Sequence, residues 1–212
     1  QVSQRLGLVS AKAKLVSYSM TDWPSYLRLY AEIVSAGGFF FFIIAISWIF
    51  GREFMDGTVK DLLAVPVQRS SILVATFVVG AAWSGMIAVL MIIFGIVIGT
   101  IVKLPGGSPS IILNGITTHV VTACLVIIVV LPFSFFASIG RGYFLPMGLA
   151  VLTLITANLL MAVGWAEYYP WAVPMLYAQD KSSLYALSYW ILVVISLTGM
   201  IATYVWWKFA DQ

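Results

Sequence analysis

Apolar residues run through this chain in long blocks, without the strict alternation of strands. Blocks over residues 33–50, 71–102, 111–139, 143–164 and 184–207 stand out. A helix needs about 20 apolar residues to cross a hydrocarbon core of about 30 Å. The pattern therefore predicts an all-α, polytopic transmembrane helix bundle with five spans, folded as one domain over 1–212 and lodged in a cell membrane. The second block is longer than a crossing requires, which predicts tilt or protrusion. Pro132 inside the third removes a backbone donor and predicts a kink.

The connections carry their own signals. Asp22 before Trp23-Pro24 predicts a capped helix start. Arg28 and Glu32, four residues apart, are placed to pair on that helix. Trp23, Tyr26 and Tyr30, and at the other end Trp206 and Trp207, suit the headgroup layer. Residues 165–183 hold Pro170, Pro174 and a run of aromatics, too apolar for a solvated loop and too broken for a span. They read as short interfacial or re-entrant helices. Gly95 and Gly99 have the GxxxG spacing that permits close helix packing.

Composition fits this picture. Of 212 residues, 62% are hydrophobic and 9% charged, against about 25% charged in soluble domains. The net charge of +3 comes from 11 scattered Lys and Arg residues. No clustered basic face exists for nucleic acid, and the basic residues divide evenly between the two sets of loops, so charge does not choose the orientation. The single cysteine, Cys124, reads as a small buried hydrophobe. No His-Glu-x-x-His helix or other metal-ligand spacing is present. No Gly-x-x-x-x-Gly-Lys-Ser/Thr loop is present either, so the chain has no phosphate-cradling loop of its own. Within the spans the polar candidates are His119, Asn158 and several threonines. His119 and Asn158 are placed either to face a translocation path or to hydrogen-bond a neighbouring helix. No Asp or Glu falls in the middle of these blocks, which argues against a proton-coupled design.

Residues 51–70 differ from the rest: six of the 19 charged residues fall here, at Arg52, Glu53, Asp56, Lys60, Asp61 and Arg69. The stretch from 52 to 65 has the makings of a short amphipathic helix, with Phe54, Leu62 and Leu63 as an apolar patch and Pro66 as its stop. The string Gly-Arg-Glu-Phe-x-x-Gly-Thr-x-Lys-x-Leu-Leu-x-x-Pro-x-x-Arg, followed by an apolar helix, resembles ABC transporter permeases of the type-two exporter class, such as the bacitracin, lantibiotic and drug-export or immunity permeases. The Tyr-Pro-Trp-x-x-Pro segment at 169–174 is similar to that family's extracellular re-entrant elements.

The resemblance implies that 51–70 is a cytoplasmic coupling-helix loop seated in a cleft of an ATPase subunit. Arg52, Glu53, Phe54, Gly57, Thr58, Leu62, Leu63, Pro66 and Arg69 carry the motif. It further implies two ATPase copies that bind ATP and Mg²⁺, and a second permease copy or paralogue as dimer partner. The cargo is expected to be hydrophobic or amphipathic: a peptide antibiotic, drug or lipid, exported or lifted from the membrane in resistance or bacteriocin self-immunity. Family members have six spans with both ends cytoplasmic. The expectation is therefore that residues 1–22 are an extracellular connection after a first span outside this sequence, with 165–183 on the same side. The competing readings are an ATP-independent transporter and a membrane scaffold subunit.

Overall fold

The computed structural model describes residues 22–55 and 68–209. Five helical spans cross the bundle: 23–52, 70–101, 109–139, 144–163 and 186–209. No strand is present among the described residues.

The first span starts ten residues earlier than hydropathy suggests. Helix α1 (Trp23–Ile33) is capped by the Asp22 carboxylate, which accepts from the Ser25 amide at 3.2 Å, and Arg28 Nε lies 3.4 Å from Glu32. The helix does not stop at this ion pair. It widens for one π turn at Val34–Gly38, where two glycines weaken regular winding, and continues as α2 (Phe39–Met55). The aromatics of α1 turn inward. Trp23, Tyr26 and Leu27 are buried against Leu104, Ile111 and Ile112. The ring surface that suits an interface also suits a helix groove, and glycines in α3 and in the loop after it supply one.

Helix α3 (Arg69–Ile101) has 33 residues, about 50 Å of helix at 1.5 Å per residue. A turn with Lys103 and Gly106 at positive φ leads to α4 (Pro109–Val130), capped by the Ser108 hydroxyl. Pro132 breaks the third span outright, and α5 (Phe133–Ile139) resumes after one turn. Helix α6 (Phe144–Val163) ends on Gly164 in the left-handed conformation. Next come two 3₁₀ turns (Ala166–Tyr168 and Pro170–Ala172), α7 (Val173–Gln179), a further 3₁₀ turn (Lys181–Ser183) and α8 (Ala186–Phe209).

The first and third spans form the centre, each 56% buried, against 22%, 17% and 22% for α3, α6 and α8. Phe42, Ile43, Ile46 and Phe50 of α2 meet Val126, Val129 and Val130 of α4 and Leu192 of α8 in one core. The three outer helices show apolar side chains outward, such as Phe144, Val163 and Ile201, as a bilayer-facing surface does. Cys124 is exposed, contrary to expectation. It continues the outward stripe Leu113, Thr117, Val120 on α4, the one face that neighbouring helices leave uncovered.

Segment 165–183 packs into the bundle along part of its length. Ala172 and Val173 are fully buried, and the Trp171 ring meets Phe133 at 6.3 Å, itself 5.8 Å from Phe39. Ser35 Oγ donates to Glu32 O and lies 2.9 Å from Met175 Sδ. The segment is wedged between α1, α4, α6 and α8. Trp207 is likewise internal and not part of an aromatic belt: its Nε1 donates to Ser138 Oγ at 3.0 Å and its ring abuts Phe50.

The loops gather at two ends. The Trp23 amide donates to Pro105 O at 3.1 Å, joining the start of α1 to the α3–α4 turn, beside the 165–183 segment. At the other end, α2 abuts the turn at Arg141–Gly142 and the last turns of α8.

Candidate functional site

Three places on the bundle stand out, two of them holding residues flagged by sequence. The first is the end of α2. Gly51 is buried, and a Cβ there would lie 2.9 Å from the Gly142 carbonyl carbon. Only glycine lets α2 touch that turn, whose Arg141 has φ +48. The Arg52 guanidinium lies 5.3 Å from the Trp48 ring centroid, within cation–π range. Glu53 and Phe54 belong to the last turn of α2, and Arg69 opens α3. Residues 52–55 therefore continue the span helix and do not begin a separate surface helix, because nothing between Phe50 and Met55 interrupts it. Gly57, Thr58, Leu62, Leu63 and Pro66 lie outside the described residues.

The second place is a polar ladder around His119. Three successive carbonyls along one face of α3, those of Ala88, Met91 and Gly95, each receive a side-chain donor from another helix. Tyr26 donates to Gly95 O at 2.8 Å, Tyr30 to Met91 O, and His119 Nε2 to Ala88 O at 3.1 Å. A carbonyl only accepts, so Nε2 carries the hydrogen and Nδ1 is the bare nitrogen. Nδ1 is buried without a partner. The Tyr30 ring lies 5.8 Å from both His119 and Tyr26, stacked on each. Each donor uses the spare lone pair of a helical carbonyl, which satisfies a polar group where no water reaches. His119 thus joins α4 to α3.

The Gly95–Gly99 spacing predicts close packing, but not that the partners are aromatic rings of α1. A Cβ at Gly95 would sit 2.6 Å from Tyr30 Cε1, and one at Gly99 2.6 Å from Trp23 Cη2. The GxxxG pair is a groove for two aromatic rings of the same chain.

Asn158 is elsewhere. It is exposed on α6, its Nδ2 donates to Leu154 O of its own helix at 2.8 Å, and it edges a hollow of 370 Å³ with Val151, Ile155 and Leu159. The structure does not bring His119 and Asn158 together. The hydroxyls of Thr117, Thr118 and Thr156 fold back onto carbonyls one turn earlier.

The third place carried no sequence signal beyond scattered charges. A cleft of about 540 Å³ opens where α1, α4 and the 177–182 strap meet, with Arg28, Asn114, Thr118, Asp180 and Lys181 among its walls. Asp180 Oδ1 accepts from Ser182 N (2.9 Å) and Ser182 Oγ (2.8 Å). These bonds, with a smaller contribution from the Arg28 charge, hold the Asp180 carboxyl below the usual carboxylate range.

The sequence model of the ABC-2 family transporter protein family matches residues 15–158, more than half of the chain and including the whole 51–70 segment. The chain belongs to the ABC-2 transporter family. This ABC-2 permease is also 23% identical over 168 residues to the bacitracin transport permease protein BCRB of Bacillus licheniformis, covering 78% of this chain and 81% of that protein. No solved structure matches it significantly. The five-span helical bundle is accordingly that of an ABC transporter membrane subunit, a multi-pass protein of the cell membrane. Among the described residues of the permease, no group of His, Cys, Asp and Glu is placed to hold a metal ion.

Proposed function

We propose that this permease is the transmembrane half of an ATP-driven exporter for an amphipathic or hydrophobic cargo, and that residues 51–70 transmit the stroke of two ATPase subunits. The observation that carries the reading is the 51–70 string inside a match to the ABC-2 family. The motif residues are Arg52, Glu53, Phe54, Gly57, Thr58, Leu62, Leu63, Pro66 and Arg69. ATP and Mg²⁺ belong to the partner chains, since this chain has no phosphate-cradling loop. The end of the bundle bearing 51–70 is then cytoplasmic, and the 165–183 segment lies on the outside.

The mechanism follows from what the coupling segment touches. Closure of the ATPases presses on the segment that prolongs α2. Gly51 lies against the Gly142 turn, so a displacement of α2 is felt directly by the α5–α6 junction. The Pro132 break between α4 and α5 lacks a continuous hydrogen-bond ladder and is the natural place for that displacement to be absorbed. The α1–α3–α4 ladder, tied by three hydrogen bonds, moves as one body. The similarity to a bacitracin permease favours an antibiotic peptide as cargo, with resistance or self-immunity as its use. A second permease copy or paralogue completes the transporter.

Replacing Phe54 and Leu62 with Asp puts charge on the expected apolar patch. The doubly substituted chain is expected to insert normally and to lose recovery of a co-expressed candidate ABC ATPase. Undiminished recovery of the complex would count against the coupling role.

A further inference from the structure

We propose that a second hollow, of about 250 Å³ between the end of α6, the 166–168 turn and α7, binds an organic cation: a primary ammonium on a short apolar arm. Its lining carries one charged group, the Glu167 carboxylate, and no basic residue. Among the described residues no Lys or Arg forms an ion pair with Glu167. Lys181, on the neighbouring strap, belongs to the larger cleft, which it lines together with Arg28 and Asp180, and its ammonium lies 5.2 Å from the Tyr177 ring centroid. The Tyr168 hydroxyl donates to the Glu167 carboxylate. An ionised carboxylate has about four acceptor sites, so most of them remain for a ligand.

The helix dipole acts with the carboxylate. Met161 and Gly164 stand at the C-terminal end of the 20-residue α6, where partial negative charge favours a cation. A Cβ at Gly164 would meet nothing within 4 Å, so this helix end is open. The Gln179 amide oxygen and the Ser183 hydroxyl oxygen add neutral acceptors to the lining. An ammonium has three N–H donors, matching in number Glu167, Gln179 and Ser183. Met161 and Leu176 supply hydrocarbon, packed against Ala157, Ala166 and Ala172. The hollow is smaller than the roughly 300–1,000 Å³ of drug-sized pockets, which suits one amine-bearing arm and not a whole peptide or lipid. A metal ion needs several more oxygen ligands than one carboxylate offers, an anion is repelled, and a neutral apolar molecule leaves the carboxylate unused. The inference goes beyond the exporter reading, because it holds whether or not an ATPase drives the chain.

The test uses the full chain in nanodiscs of phosphatidylcholine with a diazirine-bearing hexylamine as probe. Saturable photolabelling of peptides containing Met161 or Leu176 is expected, displaced by unlabelled hexylamine and not by hexanol at the same concentration. Glu167→Gln keeps the shape of the side chain, removes its charge and is expected to weaken binding about tenfold or more. Ser183→Trp fills the hollow from an exposed position and is expected to weaken binding as well, which keeps the test valid if the Glu167 change disturbs folding. Displacement by acetyl-lysine methylamide in addition to hexylamine would support the proposal and mark a peptide side chain as the source of the ammonium. Displacement by hexylamine alone would support it and mark a free amine. Equal displacement by hexanol would overturn it in favour of a plain apolar hollow. Labelling confined to other peptides, or labelling unchanged in both variants, would also overturn it.

Discussion

Gly95 and Gly99 give the sharpest test of the packing described here. A GxxxG pair on an apolar helix is commonly a surface for a second helix of another chain. Here it is occupied within the chain by the rings of Tyr30 and Trp23. A methyl at either position would stand 2.6 Å from a ring carbon, well inside the 3.4 Å at which ordinary contact begins. Neither ring has room to retreat. Tyr30 is stacked between Tyr26 and His119 and donates to Met91 O. Trp23 lies between Gly99 and Gly107, with its amide fixed to Pro105 O at 3.1 Å. Overpacking of this kind costs about 1–3 kcal/mol, and breaking the Tyr30 bond adds about 0.6 kcal/mol, the average for hydrogen bonds between membrane helices. The helix-propensity gain of Ala over Gly, about 1 kcal/mol in water, is small when the unfolded chain is already helical in the membrane. Gly95→Ala is therefore expected to destabilise the chain by about 1–3 kcal/mol, Gly99→Ala by a similar amount, and the pair by less than the sum because the rings adjoin. Gly85→Ala on the same helix, with nothing within 4 Å, is the control and should be close to neutral. The assay is reversible denaturation in mixed micelles, with self-association followed in parallel by energy transfer between labelled chains. Unchanged stability together with lost self-association would refute the reasoning and return the pair to an intermolecular role.

Four further outcomes are expected. Gly199→Ala places a Cβ 2.5 Å from Pro132 Cα, backbone that does not yield, and should destabilise by about 1–3 kcal/mol in the same assay; Ser138→Ala, which strips the buried Trp207 Nε1 of its acceptor, should cost about 1–2 kcal/mol. Asn158→Leu, whose side chain bonds only its own helix among the described contacts, should change stability by less than about 0.5 kcal/mol, so any loss of transport in that variant would assign Asn158 to the cargo route. Gly57→Cys should react with an impermeant thiol reagent only in inverted vesicles; labelling in intact cells would reverse the orientation proposed above.

Much of the fold is legible in the apolar blocks, because a bilayer demands length and hydrocarbon and little else. The five spans, the Asp22 cap, the Arg28–Glu32 pair and the interruption at Pro132 all follow from local chemistry. What hydropathy does not reveal is which aromatic faces inward. Trp23, Tyr26 and Tyr30 read as interface anchors because their rings suit headgroups, yet their spacing of three and four residues is also a helix face, and Gly95, Gly99 and Gly107 supply its socket. Trp207 misled in the same way, its partner Ser138 lying 69 residues away. The burial of Val173 and its neighbours depends on space left by four other helices, which no local pattern records. The cleft joins Arg28, Asn114 and Lys181 from three distant segments. The 51–70 segment is the reverse case: its sequence carries the motif, while most of its residues lie outside the described structure.

In the proposed function, nucleotide hydrolysis on a partner chain acts through this bundle. The most direct measurement is ATP hydrolysis in lipid vesicles by the permease co-purified with a co-expressed candidate ABC ATPase, with and without a candidate peptide antibiotic. A stable complex is expected, with vanadate-sensitive hydrolysis that the cargo stimulates and that Phe54→Asp with Leu62→Asp abolishes. A permease that purifies alone under conditions that keep it folded, or hydrolysis indifferent to both cargo and the 51–70 substitutions, would contradict it.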